Sequence, residues 1–352
     1  MRYKLFGRTG LRVSEMALGT MTFGEDWGWG APKEECARIL DAYREAGGNF
    51  IDTANRYTDG SSESILGELL GDERDEVVLA TKFGLSMRDG DPNAGGAHRK
   101  NLIQSLEASL RRLRTDYVDV LWLHIWDVFT PPEELMRVLD DVVRTGKVRY
   151  VGISDTPAWL VARAHTLAEL HGWTPFAGLQ VPYNLAQRDA ERELLPVART
   201  LELTATTFEP LAGGLLTGRY GTDRDPPSGT RLSQPDYDER LRDERRLRIA
   251  DAVNAVAEAR GASSAQVAIA WVLAQQARAT VVPIVGSRRA EQIRDSLAAA
   301  SLRLEDAELA RLDAASAIEG GFPHDFPGRS MAYGGTLDAT DGARAWTEGL
   351  VS

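Results

Sequence analysis

The stretch GGNFIDTANRYTDGSSESILGELL, Gly47–Leu70, contains one complete strand–loop–helix unit. NFID is a short apolar run that ends on a carboxylate, the polar loop TANRYTDG follows, and a helix is predicted from Ser62 to Leu70. A buried strand that brings Asp52 to its end, with Tyr57 in the loop beyond, indicates either a capped turn or a site for proton chemistry.

The same alternation of short apolar runs and longer amphipathic stretches continues along the chain. Eight runs are predicted to be strands: Glu15–Gly19, Asn49–Asp52, Val77–Lys82, Val118–His124, Val148–Ser154, Ala177–Val181, Glu202–Phe208 and Ala279–Gly286. Because the runs are continuously apolar, both faces of the sheet are expected to be covered. Eight strands, each followed by a predicted helix, indicate an α/β fold of the (β/α)8 TIM-barrel type, with a doubly wound open sheet as the alternative.

The remaining segments are predicted to surround this barrel within a single domain of 352 residues. YKLFGRTGLRVS, before the first barrel strand, is typical of a β-hairpin with its turn at Arg8–Gly10. The polar, turn-rich stretch Gly221–Arg246 is predicted to be a long loop or lid. The barrel is expected over about residues 15–300, with a C-terminal helix and an irregular C-terminal extension over residues 301–352.

Composition excludes several classes of partner. A net charge of −11 disfavours nucleic acid and anionic membranes, which both attract clustered Lys and Arg. The N-terminus lacks the apolar core of a signal peptide, and no apolar run approaches the ~20 residues of a membrane span. Cys36 is the only cysteine and the five histidines form no ligand-spaced pair, so a cytoplasmic protein without a metal site is expected.

Ionisable residues recur where predicted strands end. Asp52, Lys82 and His124 each close a strand, and Tyr57 stands just beyond the first of them. Each alone has a structural explanation, such as a turn cap or a satisfied histidine, but the C-terminal strand ends of a barrel meet at one rim. There a Lys ammonium would lower the pKa of the tyrosine, the Asp would keep the Lys charged, and the His would orient a substrate oxygen. The group is therefore interpreted as a phenol that exchanges a proton with a carbonyl or an alcohol.

At these residues the sequence resembles the aldo-keto reductase family. The motifs that carry the resemblance occur in the family's order: NFIDTANRY, ATKFG, LWLHIWD, GKVRYVGIS, LQVPYN, EPLAGGLLTG and VPIVGSRRAEQIRDSL. The resemblance implies a catalytic tetrad of Asp52, Tyr57, Lys82 and His124, with Tyr57 as general acid. It also implies reduction of an aldehyde or ketone by hydride from a nicotinamide cofactor, although neither G-x-G-x-x-G nor G-x-x-x-x-G-K-[ST] is present.

The resemblance further assigns cofactor contacts. Ser154, Asp155 and Gln180 would bind the carboxamide, Phe208 would stack on the nicotinamide ring, and the loop after it would cross the pyrophosphate. The other implied contacts are Gly19, Thr20, Met21, Asp52, Leu211, Gly213, Leu215, Thr217, Gly218, Gly286, Ser287, Arg288, Gln292, Asp295 and Ser296. Arg288 at a predicted helix N-terminus can grip a phosphate, so NADP(H) is inferred in preference to NAD(H).

This sequence departs from the family's usual pattern at two of these positions. Asp155 stands where the family usually has Asn, and a carboxylate accepts hydrogen bonds from an amide but cannot donate to it. Ser296 also stands where Asn is common, and its side chain is shorter. Both departures bear on cofactor affinity and leave the predicted tetrad untouched.

Three tryptophans on predicted rim loops, Trp27, Trp29 and Trp126, are candidates for an apolar substrate wall. An aromatic or aliphatic aldehyde, a ketone or a keto sugar would suit it, since indole packs against either kind of surface. Two other functions stay open. One is a Schiff-base lyase that uses Lys82, and the other is a redox-sensing NADPH-binding module with little turnover.

Overall fold

Eight parallel strands close into a barrel in the computed structural model, which describes residues 1–223, 232 and 243–325. The barrel strands are β3 (Ala17–Gly19), β4 (Phe50–Asp52), β5 (Val78–Phe83), β6 (Val118–Leu123), β7 (Val148–Ser154), β8 (Phe176–Pro182), β9 (Thr204–Phe208) and β10 (Thr280–Gly286). Each strand pairs with the next along the chain, and β10 pairs with β3 to complete the ring. The predicted TIM barrel is confirmed, and the open-sheet alternative is wrong because this last pairing leaves no free edge.

Helices cover the outside of the barrel. They are α1 (Lys33–Glu45), α2 (Ser61–Leu70), α3 (Arg99–Leu113), α4 (Pro132–Arg144), α5 (Ala158–His171), α6 (Leu194–Thr200), α7 (Glu244–Arg260), α8 (Ser264–Ala274), α9 (Ala290–Leu297) and α10 (Asp306–Ser316). α7 ends at Gly261, which has a φ of 62°. Ser263 then begins α8 with a capping box completed by Gln266.

An N-terminal hairpin closes the bottom of the barrel, at the end opposite the carboxyl ends of the strands. Its strands, β1 (Tyr3–Leu5) and β2 (Arg12–Ser14), pair in antiparallel register as the sequence predicts. Phe6 enters the barrel and meets Trp122 edge-on, with the two ring centroids 6.0 Å apart. Apolar side chains, among them Phe6, Phe50 and Trp122, therefore fill the interior at this end.

Trp122 requires glycine on two neighbouring strands of the barrel. A Cβ atom at Gly178 would lie 2.6 Å from the Trp122 ring and 2.7 Å from the Phe6 ring, and one at Gly152 would lie 2.3 Å from Trp122. We expect Gly178→Ala to lower the free energy of unfolding by about 1–3 kcal/mol, because the packed rings have no space to withdraw into. Urea unfolding measures the loss. Gly10→Ala, where nothing lies within 4 Å of the new methyl group, is the matched control and should not be destabilised.

The C-terminal part of the described chain returns to the barrel wall. Arg188, buried after β8, forms ion pairs with Glu191 and with Asp313 of α10, the latter at 3.0 Å. Asp313 also accepts a hydrogen bond from the indole of Trp271 in α8, at 3.1 Å. The predicted lid over Gly221–Arg246 lies mostly outside the described residues, and the predicted irregular tail lies outside them from residue 326 onward. Within the described residues, no helix combines the length and the apolar character needed to cross a membrane.

Candidate active site

Three neighbouring strands bring the predicted ionisable residues to one rim. Asp52 is the last residue of β4, Lys82 lies near the end of β5, and His124 directly follows β6. Asp52 is in register with Ala80, two residues before Lys82, and Lys82 is in register with Trp122, two residues before His124. Each of these residues therefore lies two positions beyond the register partner of the one before it. The side chains that the sequence singles out therefore meet although they are far apart along the chain.

Lys82 is the centre of the hydrogen-bonded group. Its Nζ atom forms a buried ion pair with the Asp52 carboxylate and donates to the Tyr57 hydroxyl at 3.0 Å. A third hydrogen bond, to the carbonyl oxygen of Thr53, measures 2.9 Å. All three donors of the ammonium group are thereby used, which is the condition for burying such a charge. The predicted pairing of Asp52 with Lys82 is present in the structure.

The loop that carries Tyr57 is held by its own polar contacts. Tyr57 begins a single 3₁₀ turn in which Thr58 and Asp59 adopt positive φ angles of 45° and 54°. Thr58 Oγ1 donates to the carbonyl of Phe23 at 2.6 Å and accepts from the backbone N–H of Ser62 at 3.0 Å. These contacts anchor the turn to the start of α2 and direct the Tyr57 ring towards Lys82, whose Nζ lies 4.7 Å from the ring centroid.

His124 packs edge-on against the Tyr57 ring, with centroids 5.9 Å apart. Its Nδ1 atom is buried and has no hydrogen-bond partner within the part of the chain that the structure describes. Burial, together with the charge of Lys82, lowers the pKa of His124 to about 3. The imidazole is therefore neutral near neutral pH, and it can donate from one ring nitrogen without carrying a charge.

Burial acts in opposite directions on the pKa values of Lys82 and Tyr57. Burial disfavours the Lys82 ammonium, but Asp52 and Tyr57 outweigh that effect and raise the pKa of Lys82 above its ordinary value. Burial also raises the pKa of Tyr57, and the nearby Lys82 only partly offsets the rise. The sequence predicts a lowered Tyr57 pKa because it weighs the lysine alone. In the buried site desolvation is the larger effect, and the phenol keeps its proton.

The remaining strand ends complete the rim. Ser154 of β7 and Gln180 of β8 are in register and buried, and Phe208 ends β9 beside Pro182. Gln180 Nε2 donates to Asp52 Oδ1 at 3.0 Å, a contact that the sequence does not predict. Its carbonyl oxygen stays available for a ligand. On the other side, the Thr20 backbone N–H and side-chain hydroxyl both donate to the carbonyl of Asp52, at 3.0 and 3.2 Å. Gly19 and Met21, the neighbours of Thr20 along the chain, are partly buried.

The glycine-rich segment after β9 forms a turn as expected. Gly213, Gly214 and Gly218 have φ angles of 67°, 105° and 83°, a region that side chains with a Cβ atom avoid. Thr217 Oγ1 donates to the carbonyl of Gly214 at 2.6 Å, whereas Leu215 is buried in the core. Leu211, just before the turn, is half-buried. At Gly214 the turn borders open space, since a Cβ atom there would meet nothing within 4 Å.

The N-terminus of α9 lies beside the first barrel strand. Gly286 is in register with Gly19, and Thr22 Oγ1 donates to the carbonyl of Ser287 at 2.5 Å. Ser287 Oγ is buried and lacks a hydrogen-bond partner among the described residues, and Arg288 is exposed next to it. Sequence reasoning missed Glu35, whose carboxylate accepts from the Ala290 backbone N–H at 2.7 Å and so already occupies part of this helix terminus.

Three predicted cofactor residues on α9 have different local roles. The Gln292 side-chain oxygen accepts from the Arg288 backbone N–H at 3.1 Å. Asp295 accepts from Ser263 at 2.8 Å and from Gln266 at 2.7 Å, so its carboxylate secures the start of α8. Ser296 is buried. Contacts of these residues with an adenosine group stay a prediction.

Tryptophans line the loops above the rim. Trp27 and Trp29 are in contact, with ring centroids 5.7 Å apart, and both are partly buried. Trp126 pairs edge-on at 5.9 Å with Trp159, which lies in the first turn of α5 and is 59% exposed. The sequence contains no periodicity that singles out Trp159. The signal that was available is its position four residues after Asp155, in the helix that follows a strand end.

A closed barrel with an ion-paired lysine, a tyrosine and a histidine at its C-terminal rim defines the class of (β/α)8 enzymes. Comparison with known proteins then identifies the family: the aldo/keto reductase family model matches residues 15–317. A norsolorinic acid reductase of Emericella nidulans is 38% identical over 328 residues, which cover 90% of this chain and 82% of that protein. A norsolorinic acid reductase of Aspergillus flavus is 36% identical over 334 residues, which cover 92% of this chain and 82% of that protein.

A putative aryl-alcohol dehydrogenase of Saccharomyces cerevisiae is also similar, with 33% identity over 348 residues that cover 94% of this chain and 91% of the yeast protein. The chain belongs to the aldo-keto reductase family. It is therefore an oxidoreductase of carbonyl groups, in a family that generally uses nicotinamide cofactors.

Proposed function

We propose that this protein reduces an aldehyde or ketone to an alcohol with NADPH, and that Tyr57 is the general acid. The observation that carries the proposal is the placement of the Tyr57 hydroxyl 3.0 Å from the Lys82 ammonium, itself paired with Asp52. A protonated phenol in this position can give its proton to a carbonyl oxygen. The neighbouring ammonium then stabilises the phenolate that remains.

The chemistry divides between the cofactor and the chain. A bound nicotinamide cofactor supplies a hydride, which carries two electrons to the carbonyl carbon. Tyr57 donates its proton to the carbonyl oxygen as the C=O π bond breaks, and the product is an alcohol. Solvent then returns a proton to the Tyr57 phenolate. In the reverse direction Tyr57 accepts the proton of the alcohol.

His124 orients the substrate in this scheme. Its imidazole is neutral because burial and Lys82 lower its pKa to about 3, so it can donate a hydrogen bond to the carbonyl oxygen without competing as an acid. The edge-on contact with Tyr57 places both groups on one side of the mouth. Two donors directed at one oxygen polarise the carbonyl and limit its orientation.

The residues at the rim fit a phosphorylated dinucleotide. The buried Ser287 Oγ has no partner among the described residues and can hydrogen-bond a phosphate oxygen, and Arg288 adds a guanidinium beside it. Gln180 and Ser154 offer polar atoms at adjacent buried strand ends, which suits a carboxamide. Phe208 would stack on the ring, and the turn at Leu211, Gly213 and Leu215–Gly218 would pass the pyrophosphate.

We propose an aromatic carbonyl compound as the substrate class. The names of the relatives point to substrates of this kind, namely norsolorinic acid and aryl alcohols. The partly buried Trp27, Trp29 and Trp126 support the proposal because indole rings offer flat apolar walls above the rim. A keto sugar, which the sequence alone left open, finds less support in these relatives.

The same geometry bears on the alternative of a Schiff-base lyase. Such an enzyme needs a neutral lysine amine as nucleophile. Lys82 is held as an ammonium by Asp52, and its side chain has no exposed area. This arrangement favours the reductase. The redox-sensing module stays an alternative that measured turnover would decide.

The test is a panel of aromatic aldehydes, aromatic ketones, aliphatic aldehydes and keto sugars, with consumption of NADPH followed by its near-ultraviolet absorbance and NADH run in parallel. Turnover with NADPH preferred is the expected result. NADPH binding without turnover on any member would favour the sensor. Borohydride trapping of a substrate on Lys82, without cofactor binding, would establish the lyase.

The preference for NADPH gives a prediction at Arg288. We expect Arg288→Ala to weaken NADPH binding by about tenfold or more and NADH binding hardly at all, because a charge-assisted contact with the 2′-phosphate is lost. Titration of each cofactor by isothermal calorimetry measures the change. Arg294→Ala, which removes an exposed arginine within α9, is the control. Equal weakening of both cofactors would place the 2′-phosphate elsewhere.

We also propose that residues 1–352 form one domain. The ion pair between Arg188 and Asp313 supports this, since it joins α10 to the segment after β8.

A further inference from the structure

The charges around the tetrad do not cancel. Asp52 and Lys82 neutralise each other in their buried pair, and the His124 imidazole is uncharged near neutral pH. Asp155 adds a carboxylate at the next strand end, directly after β7. Within residues 1–223, 232 and 243–325 this carboxylate has no ion-pair partner. Asp155 therefore adds a negative charge to a rim where Asp52 and Lys82 already neutralise each other, and the proposed cofactor site lies at this rim.

The backbone holds Asp155 at the mouth. Its φ angle is +40°, a left-handed conformation that Asp and Asn tolerate better than most residues. Buried neighbours fix it on both sides, since Ser154 ends β7 and Thr156 donates its hydroxyl to the Ser154 carbonyl at 2.7 Å. The Asp155 side chain is exposed at the rim, desolvation against its neighbours raises the pKa of its carboxyl, and the nearby Lys82 opposes the rise. The Asp155 carboxylate also contributes to the raised pKa of Tyr57, after burial and the larger effects of Lys82 and Asp52.

A fixed carboxylate distinguishes the two redox states of a nicotinamide cofactor. The oxidised ring carries one positive charge and the reduced ring carries none, whereas the phosphates, riboses and adenine are the same in both. The ratio of the two dissociation constants therefore isolates the charge on the ring. Anything that acts on the phosphates cancels from that ratio.

We propose that Asp155 makes this site select the oxidised cofactor over the reduced one and so favours carbonyl reduction at the bound stage. The proposal rests on the proposed cofactor site. Asp155 is a specificity-determining residue for the redox state, and it acts through its charge as well as through any hydrogen bond to the carboxamide. The overall equilibrium of the reaction is unaffected, because tighter binding of the oxidised cofactor is offset when that cofactor leaves.

The expected size of this preference for the oxidised cofactor follows from Coulomb's law. A unit charge several ångströms away, at the effective dielectric constant of about 20 that applies near a protein surface, changes the affinity of a cation by about tenfold. A tenfold preference for the oxidised form lowers the midpoint potential of the bound two-electron couple by about 30 mV.

The experiment compares dissociation constants of NADP⁺ and NADPH, measured by isothermal calorimetry, for the wild type and Asp155→Asn. Asn keeps the shape and tolerates the positive φ but removes the charge. We expect the ratio of the NADP⁺ constant to the NADPH constant to rise by about tenfold in the variant. Asp155→Gly, which suits the backbone best and also removes the charge, should shift the ratio in the same direction.

Arg288→Ala is the matched control, because the phosphate that it would contact is common to both redox states. It should weaken both forms by the same factor and leave the ratio unchanged. A ratio that is unchanged or lower in Asp155→Asn and Asp155→Gly would overturn the proposal, even if both cofactors bind more weakly. A wild-type protein that binds neither form would overturn the proposed function along with it.

Discussion

Replacing Tyr57 by Phe is expected to lower kcat/KM for carbonyl reduction by about a hundred- to ten-thousandfold, the range attributed to a positioned general acid. The phenyl ring keeps the edge-on contact with His124, so the pocket retains its shape. What disappears is the hydroxyl that Lys82 contacts at 3.0 Å. Steady-state kinetics on the best substrate of the panel measures the loss.

Binding separates this effect from misfolding. NADPH should bind to Tyr57→Phe with nearly the wild-type dissociation constant, because Tyr57 is not among the proposed cofactor contacts. Lys82 keeps Asp52 and the carbonyl of Thr53 as partners in the variant, so its buried ammonium group stays paired. Turnover at the wild-type rate would show that another group donates the proton.

Replacing Lys82 by Met should abolish measurable turnover and also lower the free energy of unfolding by about 3–5 kcal/mol, the usual cost of breaking a buried ion pair. The Lys82 and Asp52 side chains are only 0% and 3% exposed, so water cannot solvate the carboxylate that remains. Met has nearly the length of Lys and leaves little cavity. Chemical denaturation and kinetics on the same preparation measure both effects.

The double variant Asp52→Asn with Lys82→Met distinguishes the two roles of the pair. It removes both charges, and the amide that replaces the Asp52 carboxylate retains an oxygen for the Gln180 contact of 3.0 Å. We expect most of the lost stability to return while turnover stays absent, because an uncharged neighbour cannot stabilise the Tyr57 phenolate. Stability that stays low in the double variant would contradict this account of the ion pair.

Sequence reasoning predicted the barrel because hydrophobic patterning is local. The predicted strand Val148–Ser154 agrees with the structure at both ends. The segment after β8 forms a separate 3₁₀ turn at Asp189–Glu191 and then α6, which covers only Leu194–Thr200. Pro196 is tolerated there in the first turn of the helix, where its missing N–H has no partner to lose.

The sequence did not predict contacts between residues that are distant along the chain. Glu35 meets the N–H of Ala290 across 255 residues, and Gln180 meets Asp52 across 128. Trp159 joins Trp126 only because α5 begins beside the loop after β6. Local patterns contain no information about such pairings, which arise when the barrel closes and brings the strand ends together.

Local sequence patterns were enough to specify the eight strand–helix units and the residue types at each strand end, because strand and helix periodicities and turn residues act over a few neighbours. The motifs of the aldo-keto reductase family could also be recognised from short stretches of sequence. The electrostatics of the mouth, in contrast, follow from the folded barrel. Burial keeps Tyr57 protonated and His124 neutral, and the pairing of Asp52 with Lys82 leaves Asp155 as an unpaired charge among the described residues. Desolvation depends on what surrounds a group in three dimensions, and a sequence does not specify that until the chain is folded.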